Sequence, residues 1–187
     1  MATKQAILDA ARTCFTRSGY DQVGVREIAG LAGIDPALVN RYFGSKEGLF
    51  GEVVGAKFDL RPILSGDLST LGERLVRGIA EKKLADADHD PLLALLRSHT
   101  SDIARRRLRE AMIAGFVEPL AARLEGSARV QRAELVGSIL LGMLTFRSLG
   151  DPLTRRDVEC EIAVAAPIVQ ALIDGTFPLY GTGERCE

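Results

Sequence analysis

Residues Val25–Phe43 read VREIAGLAGIDPALVNRYF. The stretch divides into a short helix over Val25–Ala32, a glycine turn, and a second short helix that ends near Phe43-Gly44. Asp35 is a good N-cap for the second helix, and Pro36 suits its first helical position. Ile28, Ala29 and Leu31 are the expected inward positions of the first helix, and Leu38, Val39 and Phe43 those of the second. Gly33 admits a left-handed turn, which a β-carbon resists, and Ile34 plugs the core beneath it. The spacing is that of a helix-turn-helix. A packed helical hairpin shares it. Ala37, Asn40, Arg41 and Tyr42 are left pointing outward. Asn bonds adenine through two atoms, Arg does the same to guanine, and Ala touches a thymine methyl. An ordinary solvated face is the other reading of these positions.

The flanking residues extend the pattern. A first helix is expected from about Lys4 to Arg17, capped by Thr3 and ended by Ser18-Gly19, with Ile7, Ala11, Cys14 and Phe15 on its apolar face. Ser45 caps a fourth helix that runs to about Leu60, where Pro62 stops it. The run AGIDPALVNRYFGSKEGLF, with Ile28-Ala29 upstream, resembles the DNA-binding domain of the TetR/AcrR family of transcriptional regulators over residues 4–52. That resemblance implies an all-α protein: an N-terminal three-helix helix-turn-helix domain and a C-terminal helical bundle whose last two helices dimerise. It implies a homodimer on a palindromic operator of double-stranded DNA, usually a repressor released by a small-molecule effector. It assigns Arg26 and Lys46 to phosphates, places Asp35, Ala37, Asn40 and Arg41 at or near base edges, counts Pro36 among the DNA-binding residues, and lays Tyr42 against the sugar-phosphate backbone.

Three positions depart from the family pattern. Gly24 stands where a Ser or Thr cap is common, although Glu27 has the spacing to reach back to the cap amide. Asp35 replaces a common Ser; phosphate would repel its carboxylate, so capping is its expected role. Asn40 replaces a common Tyr and is free to read a base instead.

Composition bounds the alternatives. The chain has 187 residues, 47% hydrophobic and 26% charged, which excludes global disorder and allows a sizeable core without disulfides. The charge-free apolar runs Leu135–Phe146 and Ile162–Ile173 are each 12 residues long, short of the roughly 18 a membrane span needs. Lys4, Asp9 and Arg12 interrupt the N-terminal apolar pattern, so no signal peptide is expected and the cytoplasm is the expected location. Three scattered cysteines, Cys14, Cys160 and Cys186, fit a reducing compartment and exclude a zinc finger. The net charge is −1, so a wholly electrostatic nucleic-acid binder is excluded, but a local basic face is not. Within residues 1–50 six Lys/Arg face five Asp/Glu.

The DNA-binding domain is assigned to residues 1–50 and a ligand-binding and dimerisation domain to 51–187, with the fourth helix joining them. Further helices are expected over Ser69–Ala85, Pro91–Ser98, Asp102–Arg123, Ala128–Leu149 and Arg155–Asp174, with Pro167 a point of kinking. The last two are too apolar for one-sided burial, which suits a dimer interface. Gly137, Gly142 and the alanines near Ala165 permit close approach. Phe58, Met112, Phe116, Met143 and Phe146 are large adaptable groups for an effector pocket, and Arg147 would pair an anionic ligand or bond helix ends. Each of these also reads as plain core.

No paired base and nucleophile, phosphate loop or metal set is present, so no enzyme, cofactor or metal is expected. Asp86, Asp88 and Asp90 begin like a calcium loop but continue with Pro91 and Arg97 where Gly and Glu are needed. His89 and His99 sit in no catalytic pattern, and Arg105-Arg106-Arg107 with Arg109 reads as a solvated face. The competing function is a helical dimer that binds a small molecule or protein without sequence-specific DNA binding.

Overall fold

The computed structural model describes residues 2–58, 60–81, 101–148 and 157–176. Among these the elements are α1 (Ala2–Gln22), α2 (Val25–Ala32), α3 (Pro36–Phe43), α4 (Lys46–Phe58), α5 (Arg61–Leu64), a 3-10 turn (Leu68–Thr70), α6 (Leu71–Ala80), α7 (Asp102–Met112), a wide π turn (Ile113–Val117), α8 (Glu118–Ala121), α9 (Arg129–Ser148) and α10 (Val158–Asp174). No strand occurs among the described residues. The expected helix Pro91–Ser98, the acidic run Asp86–Asp90, His89, His99 and Cys186 lie outside them.

The chain forms two units. One comprises the described residues of Met1–Asp59 and Ala85–Ile113, the other those of Leu60–Leu84 and Ala114–Glu187. The division therefore does not fall at 50/51. Leu49, Phe50, Val53 and Val54 bury the length of α4 in the first core, and α7 adds Ala104 and Leu108 to it from far along the chain.

The first core is built as the periodicity predicts. Ile7, Ala11, Cys14 and Phe15 of α1 are buried with Ile28 and Ala29 of α2 and Val39 and Phe43 of α3. The helical backbone of α1 breaks at Gly19 (φ 76°, ψ 172°). This is the extended positive-φ region that essentially only glycine occupies, not the left-handed cap expected there. The break seats Tyr20 in an aromatic trio: its ring centroid lies 5.0 Å from that of Phe50, which meets Phe15 edge-on, also at 5.0 Å. Such pairs contribute about 1 kcal/mol each beyond their buried area. Two further expectations fail in this unit. Thr3 lies inside α1, which already begins at Ala2, so it is not the cap. Leu31 is 56% exposed, because Ile28 and Ala29 alone form the buried face of the short α2.

In the second unit α6 packs on α10. A β-carbon on Gly72 would come within 2.9 Å of the Ala166 carbonyl oxygen and 2.8 Å of the Gln170 nitrogen. Gln170, the lone polar side chain of its apolar run, makes this approach tolerable. Its Oε1 accepts from the Gly72 amide at 2.8 Å and its Nε2 donates to the Leu68 carbonyl at 2.9 Å. The first-turn donors of a helix have no partner inside it, so Gln170 caps α6 from outside. Arg132 is buried and holds the other end of α10, 3.4 Å from the carbonyls of both Leu172 and Ile173. Gly137 faces the Phe116 ring, whereas Gly142 and Ala163 are exposed. The helix α10 continues through Pro167 from Val158 to Asp174.

The expected helix Asp102–Arg123 is not continuous. Pro119 has no amide hydrogen, so the Gly115 carbonyl four residues earlier loses its helical donor. The chain widens into the π turn before α8, and the Gly115 oxygen instead accepts from the Leu60 amide at 3.2 Å.

Candidate nucleic-acid interface

The site is assembled from α2, the turn, α3 and the start of α4. Gly33 takes the left-handed conformation (φ 68°, ψ 34°), and the Ile34 amide closes onto the Ala29 carbonyl at 3.0 Å. Ile34 then packs partly buried against the core. Asp35 caps α3: its Oδ1 accepts from the Ala37 amide at 2.7 Å. This is the role expected of it, and it turns the carboxylate's charge onto the helix N-terminus.

With Val39 and Phe43 buried, Pro36, Ala37, Asn40 and Arg41 are exposed. At 3.6 residues per turn these four share an arc of about 140°. Tyr42 lies further round the helix, exposed, with its ring centroid 6.4 Å from that of Phe43. Arg26 is exposed in the first turn of α2. Gly24 supplies that helix with no side-chain cap. Glu27, which has the spacing to replace one, accepts from Arg17 of α1 at 2.7 Å.

The start of α4 is held tightly. Ser45 Oγ accepts from the Gly48 amide at 3.0 Å, as its expected capping role requires. Gly48 passes directly under the Phe43 carbonyl. Lys46 Nζ sits 4.2 Å from the centroid of the Tyr20 ring. Loss of solvent pulls its pKa below the ordinary 10.5, opposed by the charge of Asp21. Glu47, the next residue, meets two arginines of α7: its Oε1 accepts from Arg106 Nη2 at 3.2 Å and forms an ion pair with Arg107, 2.9 Å from Nε. Arg105, Arg106 and Arg109 are exposed, as a solvated face requires, while Arg107 is half-buried. Sequence offers no signal for this pairing, because its partners lie in segments far apart in the chain.

The residues singled out for an effector do not form one cluster. Phe116 is buried in the second core, with Met143 partly buried against it, while Met112 packs against the first core. Phe146 is 80% exposed rather than inside a bundle. Arg147 donates to the Ala80 carbonyl at the end of α6 and lies 4.0 Å from Glu161, so it bonds a helix end. The Phe58 side chain lies outside the described residues. Among the described residues no group of three potential metal ligands occurs, and no helix is long and apolar enough to cross a membrane.

Helical turn, reading-helix face and capped α4 define a helix-turn-helix regulator. The family model for bacterial regulatory proteins of the tetR family matches residues 7–53, and that for the tetracyclin repressor-like C-terminal domain matches residues 69–173. The chain belongs to the TetR family of transcriptional regulators, which are DNA-binding regulators and not enzymes. The HTH-type transcriptional repressor BdcR of Escherichia coli (strain K12) is 36% identical over 84 residues, which is 43% of this chain and 42% of that protein. The match thus spans less than half of BdcR's length. A TetR-family regulator from Streptomyces coelicolor A3 is 30% identical, with a TM-score of 0.66 over 92% of this chain and 94% of that one. The regulator FadR from Bacillus subtilis, solved in complex with stearoyl-CoA, shares the fold at 18% identity and a TM-score of 0.64, over 91% of this chain and 98% of its own.

Proposed function

We infer that the protein is a homodimeric, cytoplasmic repressor that binds a palindromic operator and is released by a small ligand. The carrying observation is the exposed arc of Pro36, Ala37, Asn40 and Arg41 on a helix pinned by Val39 and Phe43. In this reading Asn40 and Arg41 contact base edges, Ala37 and Pro36 pack against them, and Asp35 keeps the helix start in order. Arg26, Lys46 and Tyr42 meet the backbone. The repressor activity of BdcR supports the sign of regulation.

The dimer reading rests on α9 and α10. Leu135 and Phe146 on one, and Val164 and Ile168 on the other, are large apolar groups left exposed. A second copy would cover them and set two reading helices on half-sites about 34–36 Å apart. The effector reading places a ligand within the second unit beside Phe116 and Met143, and the stearoyl-CoA complex of FadR supports a fold that accepts one. Ligand release requires tighter binding to a conformation with misplaced reading helices.

Selection of duplexes from a random DNA library at near-physiological salt tests the DNA reading, with Arg41→Ala as control. A palindromic consensus lost in the variant is the expected result. No enrichment above the variant overturns it.

A further inference from the structure

We propose that Arg106 and Arg107 of α7 are positioning residues for operator binding, which neutralise and hold Glu47 beside the phosphate-contacting Lys46. The proposal rests on the DNA-binding reading above. Glu47 occupies the second position of α4, at the end where a helix N-terminus and Lys46 would meet phosphate. A bare carboxylate there opposes both the helix end's partial positive charge and the lysine. Instead, one oxygen, Oε1, accepts from Arg106 Nη2 at 3.2 Å and lies 2.9 Å from Arg107 Nε in an ion pair, and the Glu47 side chain is only 28% exposed.

The arrangement is built into the core. Ala104 and Leu108 flank Arg107 on α7 and are buried with Val53 and Val54 of α4. Arg107 also runs along α4, its Cδ 3.8 Å from where a β-carbon on Gly51 would stand. Its Nη1 meets Glu110 at 3.0 Å, which fixes the guanidinium from the far side. Arg106 is 59% exposed and adds charge with little packing.

A second observation repeats the pattern. Arg26, the other phosphate candidate, is followed by Glu27, and that carboxylate is met at 2.7 Å by Arg17 from α1. The acid after each phosphate candidate is therefore matched by arginine from a different helix. The α7 segment also brings four arginines against two acids into a unit whose first 50 residues are nearly neutral.

The test uses the full chain and two probes: the duplex recovered by the selection above, and a random duplex of equal length at low salt. Anisotropy titrations at several salt concentrations give affinity and salt slope. The double variant Arg106→Gln/Arg107→Gln is expected to bind both duplexes about tenfold more weakly, with the discrimination between them unchanged. Adding Glu47→Gln is expected to return affinity to within about threefold of the parent, since the carboxylate is then gone. A double variant that binds like the parent overturns the proposal. So does a triple variant as weak as the double, which would assign the loss to packing. Should the double variant fail to fold, the exchanged pair Glu47→Arg/Arg107→Glu decides: tighter binding than either single change supports the proposal, and no improvement overturns it. Failure of the parent chain to enrich any duplex sinks the DNA reading itself, and this proposal with it. Parent binding with unaffected variants sinks this proposal alone.

Discussion

Gly48 lies directly beneath the Phe43 carbonyl, so close that a β-carbon would overlap the oxygen. The end of the reading helix is thereby pressed onto the first turn of α4. The overlapped atom is backbone and cannot swing aside. Gly48→Ala is expected to lower stability by about 1–3 kcal/mol, the usual cost of overpacking. Urea denaturation measures it. An unchanged midpoint would mean that α4 slides without cost.

Across the outer faces of α2 and α3 the expected losses differ in kind. Asn40→Ala should weaken binding to the selected duplex by about 1–3 kcal/mol and relax preference at one base step. Arg26→Ala should weaken all duplexes alike and reduce the salt slope by about one. Competition titrations against single-base variants of the duplex separate the two. Equal losses on every duplex for Asn40→Ala would place that side chain on the backbone instead.

Among the described residues, the external partner of the Gly72 amide is Gln170. Gln170→Leu would leave that buried donor without it, at a cost of about 1–3 kcal/mol. Thermal melting of the variant should show the drop. A variant as stable as the parent would show that α6 finds another cap.

Ala128 holds a positive φ of 52°, a left-handed conformation that costs a β-carbon roughly 1–2 kcal/mol. Ala128→Gly should relieve it. Glycine's greater freedom in the unfolded chain offsets part of the gain, leaving a stabilisation of up to about 1 kcal/mol. A lowered denaturation midpoint would contradict this.

Burial raises the pKa of the Cys14 thiol above its ordinary 9.0, with the charge of Glu27 adding to the effect. Burial and then Glu47 raise the Tyr20 hydroxyl above 10.0. Both groups hold their protons more tightly folded than unfolded. Their contribution is fully present below the unfolded values and is lost as pH rises through the folded ones. Stability should fall from about pH 9 upward, with Cys14→Ala flattening the first part of the decline. A melting profile level to pH 11 would refute the assignment.

The fold was legible wherever a local rule decides. Asp35 as cap, Gly33 as left-handed turn and Ser45 as N-cap follow from chemistry within three residues of each position. The outward arc of α3 followed from periodicity, since Val39 and Phe43 leave one face. Leu31 was misplaced because an eight-residue helix buries too narrow a stripe to constrain its last turn. The partners of Glu47 and the external cap on Gly72 were illegible because each joins segments distant in the chain. Pro119 did carry a readable signal: a proline inside a predicted helix orphans the carbonyl four residues before it. Which group would answer that carbonyl was not readable.

The bond from the Leu60 amide to the Gly115 carbonyl is a contract between two main-chain groups, with neither side chain a signatory. Substitutions at 60 or 115, short of proline at 60, leave both parties in place. The join itself therefore tolerates any side chain at either position, and what constrains residue 60 is the packing of Leu60 against the second core. The bond itself is guarded by Pro119, which makes no part of it and whose replacement would hand the carbonyl a rival donor.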